Sequence, residues 1–169
     1  MDMSTKSAIS MEEYLRTSFD DLDREYVDGE IVERSLPDRL HSRTQYRLAG
    51  LVWDLAKTLP LYGQTELRSR VAATRVRIPD VSVYAGEEPT ERVPTQPPLV
   101  AIEILSPDDR HSEVMQKLEE YRAWGVRHIW LVDPERRKLQ VYNPGALSEV
   151  AALEISEYDV RLAAAGIFG

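Results

Sequence analysis

Two acidic residues and one lysine are the strongest candidates for chemistry in this chain. Asp80 begins one apolar segment, Glu103 lies inside a second one, and Lys117 follows soon after. An ionised carboxylate in an apolar strand loses several kcal/mol of hydration unless something compensates for the loss. Two such carboxylates can hold a divalent cation, and a nearby lysine can orient or deprotonate a water molecule and stabilise charge on a phosphate. Together they are the minimal set of groups for hydrolysing a phosphodiester.

Each of the three residues also has a purely structural interpretation. Lys117 lies one helical turn after a glutamate, and such a surface pair contributes only about 0.2–0.5 kcal/mol. Asp80 follows a proline and could be a turn or strand-entry residue. Glu103 could form a buried salt bridge with Arg75 or Arg77. The three residues taken together favour the cation-binding interpretation.

The residue types available restrict which metal could bind. The chain contains no cysteine, which excludes disulfides, thiolate zinc sites and cysteine nucleophiles. Oxygen ligands favour Mg2+ or Mn2+, and the three scattered histidines make a histidine-rich site unexpected. The sequence also lacks a glycine-rich phosphate loop and the common serine-hydrolase and zinc-protease motifs. We therefore predict a Mg2+ site formed by Asp80 and Glu103, with Mn2+ as a substitute.

Composition indicates one globular domain of 169 residues with a net charge of -8. The acidic charge argues against a general nucleic-acid coat, but it is compatible with an enzyme that has a local basic cleft. No apolar run approaches the roughly 20 residues of a membrane helix, and the N-terminus does not resemble a secretory signal, so we expect a cytoplasmic protein. Two arginine clusters could be either a solvated face or part of such a cleft. They are Arg39, Arg43 and Arg47, and Arg68, Arg70, Arg75 and Arg77.

Hydrophobic periodicity and turn residues predict the elements that position these side chains. Ser10 and Glu13 form a capping box that begins a short helix, and Asp28-Gly29 predicts the turn of a β-hairpin. The remaining predictions are helices over 40–59 and 106–124, strands over 64–71, 75–84, 99–105, 126–132, 138–142 and 150–155, and a loop over 86–98. Residues 8–169 are predicted to form one α/β domain with a mixed central sheet flanked by helices, and residues 1–7 a disordered leader.

The two long predicted helices direct candidate residues toward the sheet. Lys117 lies at the border of the apolar face of the second helix, so its ammonium group can reach the sheet edge that carries Asp80 and Glu103. His41 extends the apolar stripe of the first helix by one turn and is expected to point toward the protein body. A histidine in such a position could also be an ordinary core residue.

Several segments of the chain resemble, in consistent order, the Uma family of restriction endonucleases, within the PD-(D/E)XK nuclease superfamily. The matching segments are EYVDGEIV at 25–32, His41, IPDVSV at 78–83, VAIEILSP at 100–107, KLEEY at 117–121 and WLVDP at 130–134. The resemblance implies a restriction-endonuclease-like core and magnesium-dependent DNA cleavage.

The resemblance also implies roles for individual residues. Asp80 and Glu103 match the two acidic positions of the superfamily motif. Leu105 stands where that motif has its lysine, and the lysine role falls to Lys117 in the following helix. His41 matches a histidine of the family's first long helix and is included among the catalytic residues. Glu25 matches a hairpin position to which we assign no role.

The function predicted from these residues is a divalent-metal-dependent DNA endonuclease, with Arg75 and Arg77 approaching the substrate. One alternative is a weakly active or inactive nuclease fold that serves as a binding or assembly module, which the acidic net charge favours. A phosphodiesterase acting on nucleotides or RNA through the same site is a further alternative. Because isologous dimers are the commonest assemblies, we expect a homodimer, with DNA as the partner and no membrane association.

Overall fold

The computed structural model describes residues 8–19 and 24–169. The leader predicted over residues 1–7 lies outside the described residues. In chain order the elements are α1 (Met11–Arg16), β1 (Glu25–Val27), β2 (Glu30–Val32), α2 (Arg39–Leu55), β3 (Leu61–Thr65), β4 (Ser69–Ala72), β5 (Arg75–Arg77), β6 (Val81–Ala85), β7 (Val100–Ile104), α3 (His111–Trp124), β8 (His128–Asp133), β9 (Lys138–Asn143), β10 (Ala146–Val150), β11 (Ala152–Ile155), a 3-10 turn (Ser156–Tyr158), β12 (Val160–Ala163) and α4 (Ala164–Phe168). None of the helices in these ranges combines the length and the hydrophobicity needed to span a membrane.

The central sheet has six strands in the order β10-β9-β8-β7-β6-β3. Strands β7 and β8 run parallel, joined by the crossover helix α3, and the other neighbouring pairs run antiparallel. All five residues of β7 are buried, as expected of a central strand covered on both faces. The predicted α/β fold with a mixed central sheet is confirmed.

A second, antiparallel sheet has the order β2-β1-β5-β4. Its β1-β2 hairpin turns at Asp28 and Gly29, whose φ angles of 50° and 94° both lie in the left-handed region that the predicted turn requires. The short N-terminal helix is also confirmed, because the Ser10 side chain accepts a hydrogen bond from the backbone N–H of Glu13. A third sheet pairs β11 with β12.

The prediction of one continuous strand over 75–84 is wrong. The chain leaves the ladder at Ile78-Pro79-Asp80, so that β5 belongs to the second sheet and β6 to the central sheet. Pro79 has no N–H to donate, which disfavours continuing a ladder through it. The predicted strand over 64–71 is likewise divided, with Glu66 at a φ of 52° between β3 and β4. Asp80 therefore lies where the chain passes from one sheet to the other.

The long first helix is confirmed, but it ends at Leu55 and not at residue 59. Gly63 follows the helix in the chain and lies inside β3. A Cβ atom at Gly63 would lie 2.7 Å from Cγ1 of Val52. The glycine therefore allows α2 to pack closely against the edge of the sheet.

Two further boundaries differ from the predictions. Helix α3 begins at His111, because residues 106–110 form a turn in which Asp109 accepts a hydrogen bond from the N–H of Ser106 at 2.7 Å. The same helix ends at Trp124, as predicted, with Gly125 as its C-terminal cap at a φ of 112°. The C-terminal segment contains three strands and a helix where one last strand over 150–155 was predicted.

Helices cover both faces of the central sheet. Helices α2 and α4, with the β11-β12 pair, pack on one face, where the apolar side chains of Val100, Ile102 and Ile104 point. Helix α3 packs on the other face, where Ala101 points. Because side chains alternate along a strand, Glu103 also points to the α3 face.

Candidate active site

The carboxylate of Asp80 connects the break between β5 and β6 to the neighbouring strand β7. Its Oδ2 accepts a hydrogen bond of 2.7 Å from the N–H of Ile104, the residue after Glu103. Its Oδ1 lies 3.0 Å from Nη2 of Arg34 and 3.3 Å from Nε2 of His41. Two potentially cationic side chains therefore meet a single oxygen of this buried carboxylate.

His41 lies on the inner face of α2 and is buried, as its place in the apolar stripe predicts. Asp38 caps the helix by accepting the His41 N–H at 2.8 Å, which fixes the first turn beside Asp80. Burial alone lowers the pKa of His41, but the hydrogen bond and the charge of Asp80 outweigh burial, so the pKa is raised. His41 is therefore placed to donate a hydrogen bond to Asp80. One turn later, Gln45 donates to the Asp80 carbonyl at 3.0 Å.

Glu103 is buried on the α3 face of β7, between two residues of that helix. Tyr121 donates its hydroxyl hydrogen to Oε1 of Glu103, and Nζ of Lys117 lies 3.8 Å from Oε2. Burial, with added repulsion from the charges of Asp80 and Glu25, raises the pKa of Glu103 to about 7, although Lys117 and Tyr121 oppose the rise. Near neutral pH this carboxyl group is poised to bind a proton, and an added cation would relieve the same electrostatic cost.

Glu25 is the third carboxylate of the cluster. It is buried at the start of β1 and accepts hydrogen bonds of 3.0 Å from both the N–H of Ile78 and Nη1 of Arg77. Its Oε1 also lies 3.0 Å from Nζ of Lys117. Burial raises the pKa of Glu25, but the charges of Lys117 and Arg77 outweigh burial, so the pKa is lowered. Glu25 is therefore an ionised carboxylate that pairs with the buried cations of Arg77 and Lys117.

The ammonium group of Lys117 lies between Glu25 and Glu103. Burial lowers the pKa of Lys117, but the charges of these two carboxylates outweigh burial, so the pKa is raised. A lysine that keeps its proton is suited to orienting a water molecule or stabilising negative charge. It is poorly suited to removing a proton from water.

The two arginines predicted to approach the substrate are engaged by carboxylates. Arg77 is buried and pairs with both oxygens of Glu120, at 2.6 and 2.9 Å, in addition to Glu25. Arg75 is partly exposed and contacts Glu120 at 2.7 Å and Asp28 at 2.9 Å. The substrate-binding role of Arg75 and Arg77 stays a prediction that these contacts do not support.

Sequence reasoning assigned no role to Glu25 and did not single out Arg34. Glu25 begins a strand of only three residues, and its partners come from β5 and α3, far along the chain. Arg34 lies in the irregular segment between β2 and α2, where no periodicity indicates a direction. The sequence identifies Glu25 as a site residue only once β1 is known to pair with β5. The antiparallel register of this pair places residue 25 next to residue 77.

A cleft of about 430 Å3 brings together the four residues predicted to be catalytic, whereas Arg75 does not line it. Its lining includes Glu25, Arg34, His41, Asp80, Glu103 and Lys117. Within the described ranges, no three histidine, aspartate or glutamate side chains converge as a complete metal-ligand set. Asp80 and Glu103 nevertheless offer oxygen donors only, and burial together with the neighbouring carboxylates already raises the pKa of Glu103. The donor chemistry therefore fits a hard divalent cation that keeps some of its water ligands.

The raised pKa of Glu103 predicts that this residue destabilises the metal-free fold at high pH. A carboxyl whose folded pKa lies above its unfolded value stabilises the fold fully below the unfolded pKa and loses that contribution as the pH rises through the folded pKa. We therefore expect Glu103→Gln to raise the free energy of unfolding at pH 8 by up to about 3 kcal/mol. The difference from wild type should shrink toward pH 5. Urea unfolding in the presence of a chelator measures it.

His41 also contributes a pH dependence, but this largely cancels in the comparison, because its raised pKa depends mainly on Asp80 and only slightly on the charge of Glu103. The exposed Asp108 provides a matched control, because Asp108→Asn also neutralises an acid but outside the cleft. A variant that is less stable than wild type at pH 8 would contradict the prediction.

Comparison with known proteins agrees with this architecture. The profile of a family described as "Uma2: Putative restriction endonuclease" matches residues 11–165. A solved structure from Anabaena variabilis ATCC 29413, described as a putative nuclease belonging to DUF820, has a TM-score of 0.82 and 23% sequence identity. The alignment covers 95% of this chain and 97% of the other, and it shows that the two share a fold. None of the curated proteins matches the chain. Since the family profile spans most of its length, this chain belongs to the Uma2 family.

Proposed function

We propose that this protein is a divalent-metal-dependent endonuclease that hydrolyses phosphodiester bonds in DNA. The observation that carries the proposal is the convergence in one cleft of Asp80 from the break between β5 and β6, Glu103 from β7 and Lys117 from α3. The Uma2 family and the Anabaena protein are both described as nucleases, which supports the reaction class. DNA as the substrate, the metal and the residue roles belong to our proposal.

Asp80 and Glu103 are the residues that would hold Mg2+. The bound ion supplies Lewis-acid stabilisation of the phosphate oxygens. The cleft supports this assignment because its acidic side chains present oxygen donors and because Glu103 is poised to bind a positive charge. Arg34 and His41, which both contact Oδ1 of Asp80, would compete with the ion for that oxygen.

The other side chains of the cleft would position the reacting groups and neutralise the charge that develops on the phosphate. Lys117 keeps its proton and donates hydrogen bonds to the attacking water or to a non-bridging phosphate oxygen, where negative charge increases in the transition state. Glu25 holds this ammonium group in place, and Tyr121 holds the Glu103 carboxylate through its hydroxyl group. Hydrolysis adds water across the P–O bond, so these contacts act on the water and on the developing charge.

A non-catalytic binding or assembly module is the second candidate function. The contacts that favour it are those of Arg34, His41 and Lys117, which compensate the buried carboxylates without any metal. The net charge of -8 also opposes DNA. In this alternative the acidic cluster serves only to join the two sheets and α3.

Calorimetric titration and a cleavage assay separate the two functions. We expect Mg2+ and Mn2+ to bind wild-type protein and to support cleavage of DNA. Asp80→Asn and Glu103→Gln should each lose metal binding and cleavage, because each removes one of two anionic ligands. Substrates should include duplex DNA, single-stranded DNA and RNA, so that a preference for RNA is visible.

Asp108→Asn is the matched control, since it makes the same chemical change as Asp80→Asn at an exposed position. It should bind metal and cleave DNA as wild type does. Wild-type protein that binds neither ion in the presence of DNA and cleaves none of the substrates would favour the binding module.

A further inference from the structure

Of the three large apolar side chains that are exposed among the described residues, two lie on helix α2 and the third, Leu36, precedes that helix in the chain. Leu36, Tyr46 and Trp53 are 67%, 81% and 72% exposed, respectively. Tyr46 and Trp53 are seven residues apart, which is two helical turns, so they share one face of the helix. Large aromatic side chains on a protein surface are typical of interaction sites, because each offers a large apolar area to a partner.

We define the outer face of α2 as Arg39, Arg43, Tyr46, Gly50 and Trp53. At about 100° per residue these five positions form one stripe. It lies opposite the buried residues of the helix, which are His41, Thr44, Leu48 and Val52. A Cβ atom at Gly50 would meet no atom within 4 Å, so an open notch separates the two aromatic rings. A side chain from a partner could enter this notch.

The N-terminal half of this face is basic, whereas its C-terminal end has an aspartate that is paired with a lysine. Arg39 and Arg43 lie in the N-terminal half and form no ion pair with any of the described residues. Asp54 lies next to Trp53 in the C-terminal half, where its only ion-pair partner within 8–19 and 24–169 is the exposed Lys57. Such surface pairs contribute little to stability, so Asp54 is available to a second cation.

We propose that the outer face of α2 binds the same face of a second copy of this chain, with the two helices antiparallel. A two-fold axis then brings Arg43 of each copy toward Asp54 of the other, whereas a parallel arrangement would oppose charges of the same sign. The aromatic rings of Tyr46 and Trp53 flank the notch at Gly50 and bury their apolar surface across the interface.

The position of the cleft favours a second copy over DNA as the occupant. His41 extends from the inner face of α2 into the cleft, whereas Tyr46 and Trp53 lie on the opposite half of the helix. A nucleic acid bound in the cleft would therefore not lie along the outer face. Association through this face does not depend on the proposed nuclease activity, because none of its residues contributes to the candidate active site.

Sedimentation equilibrium of the full chain tests the interface. We expect wild-type protein to form dimers at concentrations from about 1 to 100 µM. Trp53→Glu and Arg43→Glu should each raise the dissociation constant at least about 100-fold. Arg92→Glu, which makes the same charge change at an exposed position elsewhere, should leave it unchanged. Combining Arg43→Glu with Asp54→Arg should restore association to within about tenfold of wild type, because the unlike charges face each other again.

Circular dichroism establishes that each variant is folded, which is expected because these side chains are exposed. A wild-type protein that is monomeric over the whole range would overturn the proposal, as would a dimer that both single variants leave intact. A monomer in which a DNA oligonucleotide shields Trp53 from acrylamide quenching would also overturn it and assign the face to nucleic acid.

Discussion

Replacing Lys117 by methionine should lower the rate of DNA cleavage about 10²–10⁴-fold at saturating Mg2+. Methionine has nearly the length of lysine but lacks the ammonium group, which lies 3.0 Å from Glu25 and 3.8 Å from Glu103. In our proposal this group stabilises charge in the transition state, so its loss affects the chemical step. Metal binding at pH 8 should persist, because both anionic ligands remain. Single-turnover cleavage and calorimetry measure the two properties separately.

Lys138→Met provides the control for Lys117→Met, since Lys138 is a surface lysine paired with Glu149 outside the cleft. It should cleave DNA at the wild-type rate. If Lys117→Met is folded and retains cleavage within about tenfold of wild type, Lys117 has only a structural role, because a typical general-acid or electrostatic contribution is larger.

Replacing Glu25 by alanine should lower the free energy of unfolding by about 3–5 kcal/mol. The change leaves the buried Arg77 and Lys117 with one carboxylate partner fewer, and it removes the acceptor for the buried N–H of Ile78. Breaking a buried ion pair by removing one partner is costly, since the other charge stays in a medium of low polarity. Urea unfolding at pH 7 measures the loss.

Glu30→Ala is the matched control for Glu25→Ala, because Glu30 lies in the same hairpin but is exposed. Its effect should stay within about 0.5 kcal/mol, as is usual for surface substitutions. If Glu25→Ala costs less than about 1 kcal/mol, the buried network does not stabilise the fold. Glu25 would then be retained for the chemistry of the cleft alone.

Substitutions of the two buried glutamates are expected to change the free energy of unfolding in opposite directions. Glu25 is surrounded by donors, and its pKa is lowered, so its removal destabilises the protein. Glu103 is buried beside two other carboxylates and its pKa is raised, so we expect its neutralisation to stabilise the metal-free protein. A carboxylate kept at a cost to stability is expected at a functional site. In our proposal, a bound divalent cation would compensate for this cost.

Local patterns in the sequence were sufficient for most of the elements around the site. The Asp28-Gly29 turn, the C-terminal end of α3 at Gly125 and the inward direction of His41 all follow from turn chemistry or helical spacing. The buried strand that carries Glu103 follows from its continuous apolar run. These features depend on residues close together in the chain, so the sequence contains the information directly.

Other features depended on which elements become neighbours in space. The break at Pro79 appears in the sequence as one proline in a long strand pattern, and only the pairing of β5 and β6 with different sheets shows its consequence. Arg77 is a second example. Its sequence context predicts contact with the substrate, but in the structure its guanidinium group pairs with Glu25 and Glu120. The partners of a charged side chain come from distant parts of the chain, and no local pattern specifies them.

The sequence by itself therefore determined which residues could do chemistry, that Glu103 lies in a strand and Lys117 and His41 in helices, and which family the chain resembles. Only the tertiary structure decided that Glu25 and Arg34 join the cleft, that Arg77 is buried in an ion-pair network, and that Tyr46 and Trp53 remain exposed. The physical reason is that burial and pKa depend on surroundings assembled from distant segments. Hydrophobic periodicity and turn preference act over a few residues and can be recognised before the chain folds.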